Sequence, residues 1–250
     1  MLESSALRSF ADNGYIVVRD AVPENLVDST NRVIDRLLAE QPPPDKHLGH
    51  HFYWRNASQL GAIEPFLVVL LENPVFAIAQ SLVKPHELQI PTQAQVALNM
   101  PPHLRRPGGP HIDGLTPPEA SGRPGTFTLL AGILLSDQQL EDIGNLWVWP
   151  GTHLSSSAYF REHGADALTS CTPYPPVPLS LPTQVLGRAG DLVLAHYMLG
   201  HNIGGNTSSL IRRALYFRLR CVGHEERWRE CVQDAWTEFR PIRSACFDQV

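Results

Sequence analysis

The sequence has no basic run longer than the pairs Arg105-Arg106 and Arg212-Arg213, and its formal net charge is −5. A nucleic-acid surface needs clustered cations, so no nucleic-acid partner is expected. Long apolar runs are also missing. The most apolar windows, residues 65–83 and 129–135, are interrupted or too short to span a bilayer, so no membrane partner is expected. Residues 1–13 lack a basic start followed by an apolar core, and no signal peptide is expected. The cysteines Cys171, Cys221, Cys231 and Cys246 show no C-x-x-C spacing. They read as free thiols in a reducing compartment, which predicts a cytoplasmic protein. No internal repeat is present.

What remains suits a globular protein: 250 residues, 43% hydrophobic and 18% charged. That length suits a single domain over residues 1–250. Helical patterns come first. Residues 2–13 end at Asn13-Gly14, residues 24–38 follow Pro23, and residues 63–71 and 75–83 are broken at Asn73-Pro74. Short strands punctuated by Gly and Pro then dominate: 93–99, 126–135, 146–149, 192–197 and 212–221. Residues 155–163 read as a surface excursion, and residues 225–239 as one final helix with Trp228, Val232 and Trp236 at helical spacing. Helices followed by strands predict an α+β fold: N-terminal helices packed on the outer sheet of a double-stranded β-helix, the cupin-type jelly roll.

Chemistry concentrates at Gly109-Pro110-His111-Ile112-Asp113-Gly114. On a strand, His111 and Asp113 would share one face. They would then be two of the three ligands of a two-histidine, one-carboxylate metal site, which needs one further histidine. The cluster His47, His50, His51, Phe52, Tyr53, Trp54 has no carboxylate at ligand spacing and reads either as a pocket-lining loop or as a partly exposed aromatic one.

The chain resembles the phytanoyl-CoA dioxygenase family of Fe(II)/2-oxoglutarate oxygenases. Five blocks carry the resemblance: residues 14–18 with the helix after Val22-Pro23; His111-Ile112-Asp113; residues 144–153, ending in Pro150-Gly151-Thr152-His153; residues 190–196, opening on Gly190-Asp191; and His201 with Asn206 and Arg212. The resemblance implies that His111, Asp113 and His201 hold Fe(II), with open positions for a chelating keto acid and O2. It implies that Arg212, eleven residues after His201, grips the far carboxylate of 2-oxoglutarate through a bidentate fork. Asn99 is placed near the cofactor on the same grounds, and Thr128 on a neighbouring strand is a second such candidate. His196 and His153 read as structural, Asn206 as a loop brace and Arg213 as facing away from Arg212.

Ile203 departs from the pattern, because many members carry a serine there whose hydroxyl meets the cofactor. Asp113 is retained where related halogenases have a small residue, so the resemblance implies an oxidation, with hydroxylation the first expectation. The expected partners are O2 and a small, largely apolar organic substrate, with no basic cluster suited to the phosphates of coenzyme A. A catalytically silent jelly-roll protein that binds a metal or small molecule is the alternative.

Overall fold

Glycine ends the first helix and starts the first strand. Helix α1 (Ser4–Asn13) stops where Gly14 takes φ 79° and its N–H returns to the Phe10 carbonyl at 2.8 Å. A left-handed residue closes a helix in this way at no steric cost only if it lacks Cβ. A Cβ at Gly14 would also lie 2.5 Å from His153 Nδ1. The structure, a computed structural model, describes residues 2–44, 51–54, 62–115, 119 and 121–247; for 51–54 it describes the backbone course alone.

Strand β1 (Tyr15–Val18) leads to α2 (Glu24–Glu40), which starts after Pro23 with Glu24 at its positive end. Helix α2 buries Val27, Thr30, Ile34 and Leu37. Helices α3 (Glu64–Leu71) and α4 (Val75–Val83) meet at a 66° bend. Among the described residues no single helix is long and apolar enough to cross a membrane. The α3–α4 pair passes by length and composition, but Phe66, Val69, Leu70, Ala79, Leu82 and Val83 are spent inside the protein.

The strands form two antiparallel sheets. The larger holds β1, β2 (His51–Trp54), β3 (Gln95–Asn99), β4 (Leu129–Leu134), β7 (Leu192–His196) and β9 (Arg212–Leu219), in the order β1-β7-β4-β9-β3-β2. The smaller has the order β6-β5-β8, from β5 (Leu146–Val148), β6 (Thr183–Gln184) and β8 (His201–Ile203). The chain is thus α+β with antiparallel sheets. Alternation along β9 faces Arg212 inward, while Arg213 reaches outward to Asp35 at 2.7 Å and Asn31 at 3.3 Å on α2.

Three local expectations are corrected. Residues 51–54 are an edge strand paired with β3, not a loop, which suits their aromatic content; His47 and His50 lie outside the described residues. Residues 155–163 belong to α5 (Thr152–His163), which buries His153, Ser156, Ser157 and Phe160. Its inner face is largely small and polar, so no apolar stripe announces it. The helix expected over 225–239 ends at Gln233 as α6 (His224–Gln233), and a further helix, α7 (Arg240–Cys246), follows it. Between them the Asp234 side chain accepts the Trp236 N–H at 3.0 Å, a local bond that competes with helix continuation.

Gly190-Asp191 shows why that motif precedes a strand. Asp191 is buried and accepts from the Asp20 N–H at 2.9 Å, the Arg188 N–H at 2.8 Å and Arg19 Nη1 at 2.6 Å. Burial alone would push its carboxyl up, but these donors hold it below the usual carboxylate range. A lowered native pKa stabilises the fold above the unfolded value of about 3.9, and that stabilisation fades as pH falls through the native value. Asp191→Asn is expected to lower stability by about 1–3 kcal/mol at neutral pH. The difference from the wild-type urea midpoint should narrow below about pH 4; a constant difference would contradict the assignment.

Candidate metal centre

His111 does not sit on a regular strand. It forms a single bridge to His201, its N–H donating to the His201 carbonyl at 2.9 Å. The chain then turns at Asp113 and Gly114, where φ is 79° and a Cβ would meet the Gly125 carbonyl oxygen at 2.1 Å. The two side chains are thus brought together outside any regular strand, with the Ile112 N–H between them donating to the Pro173 carbonyl at 2.9 Å.

The third group comes from the first residue of β8. The Leu199 carbonyl, which can only accept, lies 3.0 Å from His201 Nδ1, so Nδ1 carries the proton and Nε2 is left with a free lone pair. His201 Nε2 is 3.8 Å from Asp113 Oδ2, and His111 Nε2 is 3.5 Å from Asp113 Oδ1. The ligand atoms of all three lie within 4.8 Å of one another. The His201 side chain is 11% exposed and that of His111 39%, so the cluster opens to solvent on the His111 side.

Electrostatics favour a cation here. Burial pushes the Asp113 carboxyl up, but His111, His201 and Arg218 outweigh it and hold the group well below the usual carboxylate range. Burial, with the neighbouring His111, lowers His201 to about 4, so at neutral pH it is an uncharged imidazole able to ligate.

The Pro150-Gly151-Thr152-His153 turn fixes the approach to His201. Thr152 Oγ1 donates to the Trp149 carbonyl at 2.6 Å and accepts from the Gly200 N–H at 3.0 Å. His153 reaches across to α1, with Nε2 3.2 Å from the Ala11 carbonyl. His196 spends both ring nitrogens structurally: Nδ1 accepts from the Met198 N–H at 3.0 Å and Nε2 donates to the Ala235 carbonyl at 2.9 Å. Asn206 braces the loop beyond β8 through the Asn99 and Leu210 carbonyls at 3.0 and 2.7 Å.

Arg212 is 2% exposed. Its Nε donates to Gln138 Oε1 at 3.0 Å and its Nη2 to the Tyr216 hydroxyl at 2.7 Å, while Nη1 is buried with no partner. An unmet buried guanidinium N–H is costly, so this atom is free to take a further acceptor. Asn99 lies opposite Arg212 across the β3–β9 pair, and its Nδ2 donates to the Gly204 carbonyl at 2.6 Å. A Cβ at Gly144 would lie 2.8 Å from Arg212 Cβ and 3.0 Å from Asn99 Cβ, so this glycine lets the chain close over both.

Thr128 is not brought to this group. Its hydroxyl donates to Glu238 Oε2 at 2.5 Å and accepts from the Cys221 N–H at 3.0 Å. It precedes the end of β4 that pairs with Leu219, seven residues along β9 from Arg212. The expectation that Thr128 meets the cofactor is therefore replaced by a role beneath the C-terminal helices.

Arg218 is a neighbour that the sequence reading missed. Its Nη2 is 3.0 Å from Asp113 Oδ2, and its guanidinium lies 5.6 Å from the Phe127 ring centre. The period of two that faces Arg212 inward also faces Arg218 inward, which was the available signal. The Tyr197 hydroxyl, also missed, donates to the Asp113 carbonyl at 3.2 Å.

Two imidazoles and one carboxylate within 4.8 Å of one another are a set that could hold a metal ion, and they match the two-histidine, one-carboxylate donor set of non-haem oxygenases. The chain belongs to the phytanoyl-CoA dioxygenase (PhyH) family, which it matches over residues 10–214. No curated protein matches it. Among solved structures it is similar to the non-heme alpha ketoglutarate dependent carbocyclase SnoK from nogalamycin biosynthesis: 25% identity, 86% of this chain, 82% of that one, TM-score 0.64. The epimerase SnoN from the same biosynthesis is 22% identical over 85% of this chain and 81% of its own, with TM-score 0.60. HygX from Streptomyces hygroscopicus, with nickel and 2-oxoglutarate bound, is 18% identical over 86% of each chain, with TM-score 0.59.

Proposed function

We propose that the protein is an Fe(II)- and 2-oxoglutarate-dependent dioxygenase that oxidises a small organic molecule. The observation that carries this reading is the convergence of His111, Asp113 and His201 in a chain whose Arg212 Nη1 is buried and unpaired. Bound iron and 2-oxoglutarate would supply what side chains lack: activation of O2 coupled to decarboxylation of the keto acid to succinate and CO2.

The chain's own residues bind and orient. His111, Asp113 and His201 offer one anionic and two neutral donors, leaving a net positive charge on a divalent ion and favouring a dianionic chelate. Arg212 receives the far carboxylate through Nη1, held in aim by Gln138 and Tyr216. Asn99 flanks that carboxylate site. Arg218 holds Asp113 Oδ2 and Leu199 holds His201 in its ligating tautomer. Ile203 leaves the keto acid without a hydroxyl partner on β8. The two sheets are read as the halves of a cupin-type jelly roll within a single domain, with α2 on the outer face of the larger; the Arg213–Asp35 pair supports that packing.

Hydroxylation is one outcome among several, since the similar structures include a carbocyclase and an epimerase. Succinate formation with Fe(II), 2-oxoglutarate and a panel of small, largely apolar substrates tests the proposal. No succinate above the iron-free control, with any substrate, would favour a catalytically silent binding protein.

Gly132 gives a second check. A Cβ there would lie 2.6 Å from the Tyr216 ring, whose hydroxyl holds Arg212. Gly132→Ala is expected to raise the 2-oxoglutarate requirement while leaving iron content unchanged, read by chelate titration beside metal analysis.

A further inference from the structure

A second cluster of metal-ligating side chains lies under the C-terminal helices and takes no part in the chemistry above. His224 opens α6, Cys231 follows seven residues later on the same helical face, and Glu238 comes from the turn before α7. Their ligand atoms lie within 4.8 Å of one another, and the side chains of His224 and Glu238 are each 2% exposed. A small cavity, with room for about one water-sized occupant, is lined by Thr128, His224, Cys231, Asp234, Glu238 and Phe239 among others.

We propose that His224 Nδ1, Cys231 Sγ and Glu238 Oε2 form a second metal site, for zinc or another thiolate-seeking divalent cation, that pins the 234–239 turn to α6. Bonds of about 2.0–2.3 Å would draw these donors together by small side-chain shifts. One thiolate and one carboxylate neutralise the ion, and the thiolate distinguishes this set from the oxygen- and nitrogen-only set at His111, Asp113 and His201.

Supporting groups are in place behind His224 and Glu238. Thr126 Oγ1 lies 3.0 Å from His224 Nε2, Arg227 Nη2 lies 3.2 Å from Glu238 Oε1, and Thr128 Oγ1 donates to Glu238 Oε2. Such outer partners set the tautomer and rotamer of metal ligands. Without metal, His224 Nδ1 is 2.9 Å from Glu238 Oε2 and donates to it. On binding, the imidazole proton moves to Nε2 and is accepted by the Thr126 hydroxyl, which then turns its own proton away. The Cys231 thiol gives its proton to solvent and becomes a thiolate, so uptake releases one proton per ion and weakens at low pH. Burial and the charge of Glu238 push that thiol up in the metal-free protein, and the ion must overcome this. A hydrogen-bonded knot of His224, Glu238 and the two threonines would need no sulfur, and Cys231 is what separates the two readings.

The test uses Co(II), which gives an intense thiolate-to-metal band in the near ultraviolet, on the Asp113→Ala protein so that the other site does not compete. The expected result is one equivalent bound with that band, lost in Asp113→Ala/Cys231→Ser and kept in Asp113→Ala/Cys171→Ser. Absence of the band in the Asp113→Ala protein, or its persistence after Cys231→Ser, overturns the proposal. A measurement on the unmutated chain avoids any folding defect: Zn(II) should protect Cys231 from iodoacetamide, scored on its peptide, while Cys246 stays reactive. Equal alkylation of Cys231 with and without Zn(II) overturns it as well.

Discussion

Asp113→Ala is expected to retain no Fe(II) after anaerobic reconstitution and desalting, and to form no succinate above background. Asp113 is the single anionic donor of the cluster, and one carboxylate oxygen faces each histidine. Its removal leaves two neutral imidazoles and the Arg218 cation around the ion position, which repels a divalent metal. The fold should survive, because Asp113 lies at a turn and its side-chain partners are the two histidines and Arg218 rather than core residues. His201→Ala should match it in iron loss. His196→Ala should keep iron, because His196 is committed to Met198 and Ala235, although it should lower the melting temperature. Wild-type iron content in Asp113→Ala would remove the metal assignment, and iron loss in His196→Ala equal to that in His201→Ala would shift it.

Arg212→Leu is expected to leave iron binding nearly intact and to raise the 2-oxoglutarate concentration needed for the anaerobic Fe(II) chelate by about thirty-fold or more. Truncating one partner of a buried charge pair costs about 2–5 kcal/mol, which sets that scale. Some of the loss will be structural, because Gln138 Oε1 and the Tyr216 hydroxyl lose their donor. Iron content and a urea midpoint measured alongside separate that part. Arg213→Leu supplies the contrast on the same strand. Its pair with Asp35 is partly exposed, so its loss should cost about 1 kcal/mol or less and leave the chelate titration unchanged. A weakened chelate in Arg213→Leu and an unchanged one in Arg212→Leu would place the cofactor on the other face of β9.

The parts of the site legible in the sequence are those governed by short-range geometry. Alternation along β9 separates Arg212 from Arg213, and the structure faces them in opposite directions. His111 and Asp113 were readable as a pair, though by the wrong reasoning: they meet at a turn, not along a strand. Arg218 was equally legible by the same alternation. It was missed because nothing local says that a basic residue near the end of a strand will find Asp113, 105 positions earlier, within 3.0 Å.

By itself the sequence determined the helix stop at Gly14, the break at Asn73-Pro74 and the inward face of β9. Each follows from backbone sterics or side-chain period within a few residues. Only the tertiary structure decided which distant groups share a space. It took Thr128 away from the expected cofactor site and gave its hydroxyl to Glu238, 110 residues later. It also joined His201 to His111 across a single bridge, and gathered His224, Cys231 and Glu238 into one cluster. Spacing along a chain constrains direction only over a strand or a few helical turns; beyond that, packing of apolar faces sets the neighbours, and the polar groups meet whatever that packing brings to them.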